Sequence, residues 1–139
     1  MTELTGSFVS LQGKVILVAE DNYLLAHEIA LSLQERGAVV IGPVASVRDG
    51  LALAEREGDR IDAAVLDVNL RNERVFAVAD ALISRGIPIV FCTGYEPLLL
   101  GKPYVNAPCI TKPIDPGRLA KTLSAAIAAA PPAEHREPR

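Results

Sequence analysis

Five short apolar runs, beginning near Val15, Val39, Ala63, Ile89 and Cys109, recur at intervals of roughly 20 to 26 residues and alternate with longer amphipathic stretches. Each run is too short for a helix and rich in β-branched residues, which predicts five strands. Between them, Leu25, Ile29 and Leu33 step by four, Val47, Leu51 and Ala54 by four and three, and Val75, Val78 and Leu82 by three and four. Such spacings put each set on one buried helix face. Gly37 and Gly86 follow helical runs as C-terminal stops, and Ser46 with Asp49 three residues on resembles a capping box. Asp115 is placed to cap a last helix that starts at Pro116, buries Leu119, Leu123 and Ile127, and ends at Pro131-Pro132. The interval from Gly94 to Pro108 is the exception. Pro97, Gly101, Pro103 and Pro108 leave only Leu98 to Leu100 as the apolar core of a weak fourth helix.

Strands and helices alternating at this length predict an α/β domain, because short crossovers force right-handed βαβ units and hence a parallel sheet covered on both faces. The nearly unbroken hydrophobicity of Val15 to Ala19 and of Ala63 to Leu66 suits strands covered on both sides. The strand order expected is 2-1-3-4-5. Residues 14–130 are read as the domain, residues 1–13 as an N-terminal extension and residues 131–139 as a polar tail. A chain of 139 residues suffices for one domain with a sizeable core and no second module. With 50% apolar and only 4% aromatic residues, that core should be aliphatic.

Charge and composition narrow the partners. A net charge of -3 with no Lys or Arg run provides no electrostatic footprint for nucleic acid or an anionic membrane. No apolar stretch approaches the roughly 18 residues of a spanning helix, and the N-terminus lacks the blocks of a signal peptide, so a cytoplasmic location is the expectation. Cys92 and Cys109 lie in strand-like runs rather than at a metal-ligand spacing, and read as buried small side chains. His27 and His135 make no zinc set.

Polar residues at the strand ends carry the chemistry. Glu20-Asp21, Asp67, Thr93 and Lys112 each follow a separate apolar run, and in a parallel sheet those ends converge on one surface. Three carboxylates in one cleft repel and raise one another's proton affinity unless a cation sits among them. A hard divalent ion such as Mg²⁺ answers that need, since it takes oxygen ligands and commonly joins one or two carboxylates to substrate phosphate. Asp67, behind Ala64-Val65-Leu66, is the acid set deepest in apolar sequence and the one expected to attack phosphorus. Thr93 offers a hydroxyl and Lys112 an ammonium to the transferred group, and Gly94 keeps side-chain bulk from the mouth of the site.

These residues resemble the receiver domain of two-component response regulators across about residues 13–130. KVILVAED (Lys14 to Asp21) is similar to that family's first strand and acidic pair, AAVLDVNL (Ala63 to Leu70) to its phosphoacceptor strand, FCTG (Phe91 to Gly94) to its hydroxyl strand, and ITKP (Ile110 to Pro113) to its lysine strand. PIVFCTGY (Pro88 to Tyr95) resembles the PFxFATGY motif of a single-domain subgroup. The resemblance implies a flavodoxin-like sheet and Mg²⁺ held by Glu20, Asp21, Asp67 and the backbone carbonyl of Asn69. It also implies transfer to Asp67 from a histidine kinase or histidine phosphotransfer protein, and a cis peptide before Pro113. The chain is then a phosphoacceptor signalling protein rather than an enzyme, acting on a downstream regulator by protein–protein contact.

Two positions depart from that pattern. Cys109 stands where receivers commonly carry an aromatic switch residue, and Arg71 and Val75 follow Asp67 where many place proline and glycine. The switch is therefore expected in Tyr95 or in the Gly94 to Pro108 segment. Two other functions use the same residues. A phosphatase of the haloacid dehalogenase type shares the nucleophile, threonine, lysine and Mg²⁺, but needs a second aspartate where Asn69 stands. A phosphorylation-independent binding module would keep the fold for its surface alone.

Overall fold

The computed structural model describes residues 8–94, 104 and 106–131. Strands β1 (Val15–Ala19), β2 (Val39–Val44), β3 (Ala63–Asp67), β4 (Ile89–Thr93) and β5 (Cys109–Thr111) form one sheet. Its order is β2-β1-β3-β4-β5 and every pair is parallel. Helices α1 (Tyr23–Glu35), α2 (Val47–Glu57), α3 (Phe76–Ile83) and α4 (Pro116–Ala129) are the connections and the C-terminal element. The flavodoxin-like sheet and strand order are those expected. Tyr95 and the helix expected around Leu98 to Leu100 lie outside the described residues.

Alternation along the central strands sends side chains to both faces. Leu17, Ala64, Leu66 and Phe91 join Leu53, Ala54, Val78 and Leu82 in a core under α2 and α3. Ile16, Val18, Val65 and Val90 join Ile29, Leu33, Leu119 and Leu123 in a second core under α1 and α4. Leu11, only 1% exposed, belongs to this second core, so packing reaches into the expected N-terminal extension.

Local signals explain most boundaries. Asn22 caps α1 by accepting the Leu25 N–H, Ser46 caps α2 by accepting the Asp49 N–H, and Asp115 caps α4 ahead of Pro116. Gly37 and Gly86 end their helices at positive φ, 93° and 77°. The buried face of α2 differs from the expected one: Val47, Gly50, Leu53 and Ala54 are buried, while Leu51 is exposed. Gly50 lets α3 approach, since a Cβ there would lie 3.1 Å from Val78. Val75 is buried but precedes α3 as its N-cap residue. The Lys112–Pro113 peptide is cis, and so is Gly42–Pro43, which no sequence feature announced.

After β3 the chain makes a small hairpin. Asn69–Leu70 pairs antiparallel with Glu73–Arg74 around a two-residue turn, Arg71-Asn72, with φ of 51° and 69°. Two consecutive positive φ values are those of a type I′ turn, which Asn accepts readily and Arg does not. This hairpin occupies the position where many receivers carry proline and glycine and this chain does not.

Candidate functional site

Parallel strands deliver their C-terminal ends to one edge, and the polar residues there are the buried ones. Among the described residues the buried polar and charged side chains are Glu20, Asp67 and Thr93. Asp67 closes β3, Thr93 closes β4, Glu20 follows β1 directly, and Lys112 follows β5 directly. The register places Asp67 opposite Cys92, one residue before Thr93. One carboxylate oxygen from each of Glu20, Asp21 and Asp67 lies within 4.8 Å of the other two.

Lys112 joins two of the acids. Its Nζ donates a hydrogen bond to Asp67 Oδ2 at 3.0 Å and sits 3.0 Å from Glu20 Oε1. The second contact is an ion pair to a buried carboxylate oxygen. Glu20 Oε2 accepts the Asn22 N–H at 3.0 Å. Burial pushes the Glu20 carboxyl up to about 7, with Asp67 adding to the effect and the Asn22 N–H and Lys112 opposing it. Burial alone would lower Lys112, yet its contacts with Asp67 and Glu20 outweigh that and hold its ammonium above the usual lysine range.

Both acids are buried, Glu20 more deeply than Asp67. The Glu20 side chain is 1% exposed and that of Asp67 9%, because Glu20 sits between β1 and the end of β2, where its N–H donates to the Val44 carbonyl. Asp21 is exposed. Two backbone donors complete the cleft: Arg71 N–H donates to Asp21 Oδ2 at 2.7 Å and Asn69 N–H to Asp67 Oδ1 at 3.2 Å. Residue type carries no signature for a backbone donor, so only the path of the chain reveals these contacts. Gly94 is not required by space, since a Cβ there would meet, among the described residues, only Lys112 Cδ at 4.0 Å.

Both cysteines are free. Cys92 is buried and its thiol is pushed up to about 12 by that burial, so it stays protonated. Cys109 is only half-buried, which departs from the expectation of two buried thiols. Among the described residues no helix is long and apolar enough to cross a membrane.

Such a fold, with acids and a lysine gathered at the strand ends, defines a receiver-type domain. No protein-family model and no curated protein matches the sequence. Solved structures do. A response regulator receiver protein from Sinorhizobium medicae WSM419 aligns over 86% of this chain and 98% of its own, at 24% identity and a TM-score of 0.75. A CheY-like receiver domain protein from Methanospirillum hungatei JF-1 aligns over 84% and 95%, at 24% identity and 0.72. SdrG from Sphingomonas melonis Fr1 is 37% identical over 84% of this chain and 98% of its own, with a TM-score of 0.70. The chain thus has the fold of response regulator receiver domains and shares more than a third of its aligned sequence with SdrG.

Proposed function

We propose that Asp67 is the phosphoacceptor of this receiver, loaded from a histidine kinase or histidine phosphotransfer protein in a Mg²⁺-dependent reaction, and that the loaded domain signals through protein–protein contact. The observation that carries this reading is the burial of Glu20, Asp67 and Thr93 at one sheet edge with Lys112 Nζ 3.0 Å from both acids. Burying charge is costly unless it is paired, and here two buried acids share one ammonium.

The donor set fits a hard cation. Three carboxylates converge, every side-chain ligand is an oxygen, and the single ammonium of Lys112 is shared between two of the acids. Glu20, Asp21, Asp67 and the Asn69 carbonyl are the residues that would hold Mg²⁺, which supplies charge neutralisation between the carboxylates and the incoming phosphoryl oxygens. An Asp67 oxygen attacks phosphorus of the phosphohistidine; the P–O bond forms as the P–N bond breaks, and the imidazole leaves with the electron pair. Lys112 then faces the new dianion, and the Thr93 hydroxyl donates to one of its oxygens.

Incubating the full chain with a small phosphodonor and Mg²⁺ tests the reading. Wild type should gain one phosphoryl group by intact mass, and Asp67→Ala none. A label that survives in Asp67→Ala, or no label in wild type, contradicts it.

A further inference from the structure

The chain is poor in aromatic residues, yet three of them meet at one point. Tyr104 stacks on Phe76 with ring centroids 4.7 Å apart and planes at 18°. Phe91 meets both edge-on, at 5.8 Å from Tyr104 and 5.9 Å from Phe76. The Tyr104 hydroxyl donates to Asp80 Oδ1 and lies 3.5 Å from the Phe76 carbonyl oxygen. Burial, then the bond to Asp80, pushes that hydroxyl up to about 12, so it remains a donor at physiological pH.

The three rings come from separate places. Phe91 is two residues before Thr93 on β4 and shares its sheet face. Phe76 opens α3, the helix entered from the hairpin that follows Asp67, and Asp80 stands one turn further along it. Tyr104 precedes β5, in which Cys109 is the register partner of Phe91. Cys109 and Tyr104 pack against the same core as Phe91.

We propose that Tyr104 couples the phosphoryl site to α3: its ring bears on Phe91 of the strand that carries Thr93, while its hydroxyl holds Asp80 of the helix. A shift of Thr93 toward a phosphoryl group moves β4, and close-packed rings pass that shift on as a repacking rather than absorbing it. Because Tyr104 touches neither Asp67 nor its acidic neighbours, it acts on the response and not on the transfer. The inference rests on Asp67 being the phosphoacceptor.

The experiment uses the full ¹⁵N-labelled chain, loaded with phosphoramidate and Mg²⁺, with Asp67 loading measured by intact mass in the same samples. In wild type the α3 amides, residues 76–83, should shift on loading along with those near Asn69 and Thr93. Tyr104→Leu should load equally and keep the shifts near the site but lose those in α3. Tyr104→Phe, which keeps the ring and is the safer variant for folding, should load equally and show reduced α3 shifts. Wild-type α3 shifts in both loaded variants, or loaded wild type with none, would overturn the proposal. Wild type that takes no label overturns the phosphoacceptor reading itself, a separate outcome.

Discussion

Glu20 is the acid at the site that its surroundings alter strongly. Burial lifts its carboxyl from the ordinary 4.5 to about 7, so in the cation-free protein it is near half-protonated at neutral pH. In the window between those values the folded chain holds a proton that the unfolded chain has lost, and this group's contribution to stability falls as pH rises through it. A cation bound by the Glu20 carboxylate must expel that proton. Mg²⁺ affinity should therefore weaken as pH drops from about 8 to about 6, with calorimetric heats that depend on the buffer's ionisation enthalpy. Glu20→Gln should flatten the pH dependence, and an affinity constant across the window in wild type would contradict the assignment. Glu20, Asp67, Thr93 and Lys112 stand out in the sequence because ionisable and hydroxyl side chains directly after apolar runs need partners. Their ranking by depth does not, because the chain around Glu20 is wrapped by β2, far away in sequence.

Helix boundaries follow from side chains acting on their own neighbours. The Asn22 cap on α1 also adjoins the site, since its N–H holds Glu20 Oε2. Replacing its side chain removes the cap but keeps that N–H. Asn22→Ala should cost about 1 kcal/mol of stability, read as a lower denaturant midpoint at unchanged slope. Mg²⁺ affinity should stay near the wild-type value, and a large loss would show that the side chain serves the site as well. Where an element's form depends on a distant partner, local signals fall short. Stepping by four put Leu51 on the buried face of α2, but Gly50 and Leu53 are buried in its place, and Gly50 is the residue that faces Val78 of α3. Nothing in Arg71-Asn72 marks a hairpin turn, because arginine is a poor resident of positive φ; the pairing of Leu70 with Glu73 imposes it.

Two cores separated by the sheet make stability a sum over both faces. Leu33 of α1 and Leu82 of α3 are both fully buried, in different clusters. Each truncation to alanine should cost about 2 to 5 kcal/mol. Sharing no partners, the pair should combine additively to within about 0.5 kcal/mol in equilibrium denaturation, provided the double variant folds. A coupling well beyond that would mean the sheet transmits strain between its faces. Five strands and the polar residues at their C-terminal ends were readable from the chain alone, because period, apolar run length and residue type are local properties; the strand order was a choice among the few topologies that parallel connection leaves, and the resemblance to receivers implied it. The meeting of Phe76, Phe91 and Tyr104, the depth of Glu20, and the Arg71 and Asn69 N–H groups turned on the acids were not. All but the Asn69 contact, which is local, depend on residues brought together from distant segments, and no pattern along a single segment encodes a distance between two of them.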